Sequence, residues 1–342
     1  MGQQEPAPSH RVGMRESQTN QECKVHQRVN RGSPDSVAFG QTHAVRARSR
    51  DKWKNLAGIV LLPLLLYAML RWFEHKQVYH PTREWIETGR ALGRPWEDLR
   101  LQTADGVELS AWFFAANTNS PRSHLASVIC HGNGGNISHR LDLCEALLGT
   151  GVAVLAFDYR GYGKSAGRPG EEGTYLDAQA AHAWLRKRGF AGSNIIAFGE
   201  SLGGAVAAEL ARREPLGGLI LQSTFTSIPD IGAELFPWLP VRWIASIRYD
   251  TRRKLPELGV PLLIMHSRAD RLIPFHHAEA NFAAARDPKR LWEIAGDHND
   301  PLDADHAGFV NGVETLLTET FPGAVLPEPG CQTPRGSMKH PG

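Results

Sequence analysis

The sequence predicts an α/β fold: a mostly parallel central sheet with helices on both faces, an antiparallel N-terminal hairpin at one edge, and one transmembrane helix ahead of it. Three observations lead there. From residue 126 onward, short continuous apolar runs alternate with amphipathic stretches, the pattern of strands buried on both faces and the helices that cover them. Just before, two alternating runs at 99–103 and 107–115 flank Ala104, Asp105 and Gly106, a hairpin signal. Third, residues 194–208 read N-I-I-A-F-G-E-S-L-G-G-A-V-A-A: a strand, a tight turn carrying a serine, and a helix of small residues.

In chain order, residues 1–51 are polar, rich in Gln, Ser, Arg, Pro and Gly, and lack apolar periodicity, so a disordered basic tail is expected. Residues 1–54 carry ten Lys/Arg against five Asp/Glu; with a whole-chain charge of +2, the remainder stands at −3. The basicity belongs to the tail, which gives no case for a nucleic-acid-binding core. Residues 52–73 read as a transmembrane signal anchor. The apolar run 56–70 would span roughly 22 Å as a helix, short of a ~30 Å hydrocarbon core. Counted from Trp53 to Phe73, with Lys54 and Arg71 snorkelling, the segment reaches across. A core helix would show a polar face, a cleaved leader an Ala-x-Ala-like site, an interfacial helix a charged face; the run shows none of these. Arg46, Arg48, Arg50, Lys52 and Lys54 outnumber Arg71, Lys76 and Arg83, which sets the N-terminus in the cytoplasm and the large domain on the opposite side.

A connector at 74–95 leads to a catalytic domain at 96–322, and a Pro/Gly-rich tail at 323–342 is expected to be disordered. Strands are predicted at 126–130, 152–157, 195–198, 218–222, 261–265 and 291–294, with helices at 138–148, 174–188, 202–213, 276–285 and 305–319. The stretch 225–255 breaks this rhythm with apolar residues interrupted by Pro237 and Pro240. It reads as a short helical insertion that packs over the sheet, lines an apolar pocket as a lid, or does both; Phe225, Phe236, Trp238 and Trp243 are its candidate pocket residues. The cysteines, Cys23, Cys130, Cys144 and Cys331, have no Cys-x-x-Cys spacing, so neither zinc nor redox chemistry is suggested. Cys130 and Cys144 fall in a strand and a helix and read as buried small residues.

The chemistry centres on Gly199-Glu200-Ser201-Leu202-Gly203. In a nucleophile elbow the strained turn lifts the serine oxygen above the sheet edge, and the next amide, that of Leu202, faces a developing oxyanion. A serine nucleophile needs a base to take its proton and a carboxylate to orient that base. Asp270 follows the strand 261–265 and His298 follows the strand 291–294, in the chain order Ser, acid, His. Each alone has a bland reading: a Gly/Ser turn, a loop charge, one of 15 histidines. Three such residues, each just past a strand and in the right order, point to a triad. The Gly-rich loop H-G-N-G-G-N at 131–136 can supply the second oxyanion donor, the amide of Asn133, a kind of interaction worth roughly 3–4 kcal/mol. It lacks the lysine of a P-loop and the Gly-x-Gly-x-x-Gly pattern, so a phosphate cradle is disfavoured. A metal set of His131, Asp158 and His298 has no supporting spacing. The segment 157–165, F-D-Y-R-G-Y-G-K-S, reads as a charged turn in which Asp158 pairs with Arg160.

Taken together, H-G-N-G-G-N, F-D-Y-R-G-Y-G-K-S, G-E-S-L-G-G, S-x-x-D-x-L-I-P and G-D-H-N-D resemble the α/β-hydrolase superfamily, over about residues 96–322. Within it the sequence is similar to membrane-anchored serine hydrolases with one N-terminal transmembrane helix. The resemblance implies the α/β-hydrolase fold, a triad of Ser201, Asp270 and His298, and oxyanion amides at Asn133 and Leu202. Ser267 departs from the glycine that many members have before the acid loop. The expected activity is hydrolysis of an acyl ester or thioester through an acyl-enzyme, with no metal or organic cofactor. The expected partners are an apolar acyl chain from a lipid or lipidated protein and the membrane through 52–73, with no nucleic acid. A serine peptidase or amidase is the alternative within the class. A non-catalytic hydrolase-like membrane binding protein is the alternative outside it, disfavoured because such proteins usually lack one of the three residues.

Overall fold

The structure, a computed structural model, describes residues 42–324 and 326, with side chains described from residue 59. Of the tails expected at 1–51 and 323–342, residues 1–41, 325 and 327–342 lie outside the described residues. The chain divides into two units, Met1–Pro63 and Leu64–Gly342.

A helix, α1, spans Thr42–Val78. It begins inside the stretch expected to be disordered and runs five residues past 73, into the expected connector. Residues 42–51 contain neither Pro nor Gly and carry Ala and Arg, which favour helix, so the apolar run extends its helix in both directions. The expected anchor, 52–73, falls partly on residues whose side chains are not described. Among the described residues, no helix is long and apolar enough to cross a membrane.

The core of the second unit is one eight-stranded sheet. Its strands are β1 (Glu97–Gln102), β2 (Glu108–Phe114), β3 (Ala126–Cys130), β4 (Ala153–Phe157), β5 (Ile195–Glu200), β6 (Gly218–Gln222), β7 (Leu262–Ser267) and β8 (Lys289–Ile294). The spatial order is β8-β7-β6-β5-β3-β4-β2-β1. All pairings are parallel except those of β2 with β1 and β4, so the predicted hairpin forms one edge.

Successive strand residues point to opposite faces, and here both faces are apolar. Ala126, Val128, Leu155, Ala197, Leu221 and Ile264 enter one cluster, under α3 (Glu171–Lys187) and α4 (Leu202–Arg213). Ile129, Val154, Ile196, Phe198, Ile220 and Met265 enter the other, under α2 (Leu141–Gly149) and α8 (His306–Thr320). That is why these strands read as continuous apolar runs rather than as alternation. Cys130 and Cys144 are buried free thiols within the two clusters.

The insertion at 225–255 holds α5 (Ile228–Leu235), α6 (Val241–Ile244) and a turn of helix at Thr251–Lys254. Ser227 caps α5, its hydroxyl accepting the Asp230 amide at 3.1 Å, with Pro229 in the first turn. The last helix of the sheet layer before β8 is α7 (His276–Ala284).

Candidate active site

The elbow forms where β5 meets α4. Ser201 sits between them with φ 53° and ψ −115°, a strained conformation for a residue with a side chain. Its amide donates to Gln222 O at 2.9 Å, which fixes the turn to the neighbouring strand. A Cβ on Gly199 would lie 2.5 Å from Gly203 O, and one on Gly203 would lie 1.9 Å from Cys130 O. The two glycines are therefore required by close backbone approach, because α4 leaves the turn directly against β3. The small-residue sequence of α4 has the same cause: Gly203 through Ala208 are all buried.

The structure brings Ser201, His298 and Asp270 together. The Ser201 hydroxyl lies 3.1 Å from His298 Nε2, and His298 Nδ1 lies 2.8 Å from Asp270 Oδ2. An ionised carboxylate only accepts, so the imidazole proton belongs on Nδ1 and Nε2 is left to accept from the serine. Asp270 Oδ1 accepts the amides of Leu272 and Ile273 at 2.9 and 2.8 Å. Burial alone would raise this carboxyl; the hydrogen bonds from His266 and His298 outweigh it and hold it well below the usual carboxylate range.

Two contacts tie the acid loop to the histidine loop. The Ser267 hydroxyl donates to Gly296 O and accepts the Ala269 amide, the latter at 3.0 Å. Arg271 donates its amide and its Nε to Asp297 at 2.9 and 2.6 Å, and Asp297 in turn accepts the His298 amide at 2.8 Å. Ser267 thus bridges the ends of β7 and β8.

The loop at 131–136 faces Ser201 from β3 and is held from three directions. Tyr159 donates its hydroxyl to His131 O at 3.0 Å, and Tyr162 to Asn133 O at 2.9 Å. The His80 amide also reaches Asn133 O, at 3.0 Å, and Asn133 Nδ2 donates to Val78 O at 3.2 Å, so the end of α1 clamps the loop. Asn136 Nδ2 reaches Thr82 O and Glu84 O at 3.0 and 2.7 Å. The amides of Asn133 and Leu202 find no hydrogen-bond partner among the described residues, the condition for an oxyanion site.

The segment 157–165 is a correction. Asp158 does not pair with Arg160. It turns beneath the loop, accepting the Ile137 amide at 2.8 Å and Trp85 Nε1 at 3.3 Å. Arg160 instead reaches Asp177 and Asp105, with Nε 2.9 Å from Asp177 Oδ1 and Nη1 2.8 Å from Asp105 Oδ2. Burial pushes the Asp158 carboxyl up to about 7 and the neighbouring His131 imidazole down to about 3. His131 donates Nδ1–H to Gly132 O at 2.7 Å, which leaves its buried Nε2 without a partner.

Two cavities meet at Ser201. An apolar one of about 430 Å³ is lined by Phe225, Ile228, Ile231, Leu235, Phe236, Val241 and Ile244 from the insertion, and by Leu70, Phe73 and Val78 from α1. A polar one of about 320 Å³ lies over the Gly-rich loop. Of the four expected pocket residues, Phe225 and Phe236 line the apolar cavity; Trp238 and Trp243 do not, being 76% and 92% exposed. On α6, Val241 and Ile244 are three apart and share the inner face, which turns Trp243 outward. Trp238 follows Pro237 in the break between α5 and α6, with its ring edge-on to Phe236.

Sequence reasoning missed the part that α1 plays. Glu74 accepts the Ser246 amide and hydroxyl, both at 2.7 Å, and the Ile247 amide at 2.9 Å. Arg71 pairs with Glu74 at 2.9 Å and donates to Ile244 O. No local pattern signals partners more than 170 positions away.

Among the described residues, one group of possible metal ligands stands out: Glu234, His276 and His277, whose donor atoms lie within 4.8 Å of one another. The donor set does not suit a metal. The Thr226 amide donates to His277 Nδ1 at 3.1 Å, which puts the imidazole proton on Nε2, facing Glu234. Of the metal set considered from sequence, His298 is already engaged by Asp270 and Ser201.

The family model Hydrolase_4, described as serine aminopeptidase, S33, matches residues 121–252. The uncharacterized protein Rv2307c of Mycobacterium tuberculosis is 36% identical over 268 residues, covering 78% of this chain and 95% of that protein. The α/β-hydrolase domain-containing protein WAV2 of Arabidopsis thaliana is 33% identical over 247 residues, 65% of this chain and 79% of its own. Among solved structures, the esterase Pf2001 of Pyrococcus furiosus superposes with a TM-score of 0.59 at 22% identity, over 70% of this chain and 98% of that one, a likeness of fold. The chain belongs to the α/β-hydrolase family. It is an α/β hydrolase of the serine-hydrolase type.

Proposed function

We propose that the protein is a membrane-anchored serine hydrolase that cleaves acyl esters or thioesters by way of an acyl-enzyme. The observation that carries this reading is the hydrogen-bonded chain Ser201–His298–Asp270, at 3.1 and 2.8 Å, at the inner end of an apolar cavity of about 430 Å³. Ser201 Oγ attacks the acyl carbonyl as its proton passes to His298 Nε2. Asp270 holds the imidazole by Nδ1 and stabilises the imidazolium. The amides of Asn133 and Leu202 receive the oxyanion. Collapse releases the alcohol or thiol, which takes the proton from Nε2, and water then repeats the sequence to free the acid.

The apolar walls support an acyl chain as the group bound there. The membrane anchor is supported by the apolar run in α1, where Leu64, Leu65, Leu66, Tyr67, Met69 and Trp72 are all exposed, and by the N-terminal excess of basic residues. In this reading residues 52–73 span the membrane, the N-terminus is cytoplasmic and the hydrolase unit lies on the opposite side.

A fluorophosphonate probe tests the assignment. Label on the wild type and none on Ser201→Ala is the expected result; equal labelling of both overturns it. Amide cleavage is the second reading, favoured by the aminopeptidase description of the matching family model. Faster turnover of aminoacyl anilides than of p-nitrophenyl esters would select it.

A further inference from the structure

The cavity on the other side of Ser201 from the acyl pocket has a chemistry of its own. It is lined by residues 132–135 of the Gly-rich loop and by His139, Arg140, Glu200 and Asn299, together with Ser201 and His298. A group departing from the acyl carbon must receive its proton from His298 Nε2, and His298 lines this cavity as well as the acyl pocket.

Arg140 is the natural candidate to attract an anion there, but its charge is spent. Nε and Nη2 grip the two oxygens of Glu200 at 2.6 and 3.1 Å, and Nη2 also donates to Gly134 O at 3.3 Å. Burial would raise the Glu200 carboxyl, and Arg140 overrides this and holds it below its ordinary value, so the pair stays ionised and mutually neutral. A neighbouring hollow of about 130 Å³ shares His139, Arg140, Glu200, His298 and Asn299 with this cavity and adds Asp142, Asp300 and Asp303. Across the two, four carboxylates face one guanidinium among the described residues.

We infer that this second cavity is a leaving-group subsite for a polar alcohol or thiol bearing no negative charge, and that it excludes phosphorylated and other anionic leaving groups. The inference rests on the proposed acyl-transfer reading and narrows its substrate class: an apolar acyl chain on one side of the scissile bond, an uncharged or cationic polar group on the other. Carboxylates several ångströms from a dianion in a solvated cleft imply a discrimination of roughly fivefold or more at low salt, falling as salt screens it.

The test compares octanoyl esters of glycerol, glycerol phosphate and choline on the full chain in detergent. The glycerol and choline esters should be cleaved with kcat/KM at least roughly fivefold above the phosphate ester at low ionic strength, the gap shrinking in high salt. The double variant Asp142→Asn, Asp303→Asn neutralises two exposed carboxylates that line the hollow. It should narrow the gap, chiefly by raising kcat/KM for the phosphate ester. A phosphate ester cleaved as fast as the glycerol ester, or a gap indifferent to both salt and the double substitution, overturns the inference. Failure of Ser201 to label and of every ester to turn over would instead overturn the proposed function, so the two failures are distinguishable.

Discussion

Asp270→Asn separates catalysis from folding at this site. The substitution keeps the shape of the side chain. Oδ1 continues to accept the amides of Leu272 and Ile273, so the new amide group replaces Oδ2, 2.8 Å from His298 Nδ1. An amide nitrogen can only donate there. It forces Nδ1 to accept and moves the imidazole proton to Nε2, where it faces the Ser201 hydroxyl at 3.1 Å as a donor. The base is then present in the wrong tautomer, a defect worth roughly 10⁴-fold in kcat, or about 5 kcal/mol. KM should change little, since the acyl pocket is untouched, and the thermal midpoint should move by no more than a few degrees. Asp270→Ala is the contrasting variant: it also leaves two amides without an acceptor, at about 1–3 kcal/mol each, and should lose stability as well as activity. The assay is steady-state hydrolysis of a p-nitrophenyl ester beside a thermal melt. Asp270→Asn retaining kcat within tenfold of the wild type would refute the assignment of Asp270 as the group that orients His298.

Three further outcomes follow from contacts described above. Gly203→Ala puts a Cβ 1.9 Å from Cys130 O, backbone that cannot yield cheaply, and should cost about 3 kcal/mol or more in urea unfolding, beside an inactive elbow; an active, equally stable variant would contradict the close approach of α4 to β3. Glu74→Ala removes the acceptor of the Ser246 and Ile247 amides, so hydrogen exchange across 241–247 should quicken roughly tenfold while β5 and β6 exchange as before; unchanged exchange would deny that α1 latches the insertion. Asp158, buried with its carboxyl raised to about 7, keeps a proton that the unfolded chain has already lost above about pH 4. The folded state binds more protons in that window, so Asp158 makes stability fall as pH rises from about 4 to about 7, by a term on the order of 4 kcal/mol, and level off above. Melts of wild type and Asp158→Asn across that range should therefore diverge, the wild type losing ground to the variant; parallel profiles would be the contrary result.

How far the sequence could be read depended on the distance over which each residue finds its partner. The strands Ala126–Cys130 and Gly218–Gln222 and the helix Leu202–Arg213 were legible to the residue, because burial on both faces, or all round, leaves an unbroken apolar or small-residue run with polar residues at its ends. Ser201, Asp270 and His298 were legible as candidates because each follows a strand in an order that the fold dictates. Asp158 was visible but misassigned: its local partner Arg160 is drawn off by Asp105 and Asp177, which sequence does not place beside it. Trp238 and Trp243 were taken as pocket residues on hydrophobicity alone; the break at Pro237 and the short α6 turn them outward and bring Val241 and Ile244 in. The wall that α1 contributes to the acyl pocket left no trace in its own sequence, since Arg71 and Glu74 also suit the polar end of an apolar helix.

The central claim is that Ser201 is the nucleophile, and peptide mapping of the fluorophosphonate adduct by mass spectrometry tests it most directly. The expected adduct lies on the peptide that contains Ser201, at that residue, and is lost in Ser201→Ala and greatly slowed in Asp270→Asn. An adduct on another residue, or none on a folded and soluble wild type, would contradict it.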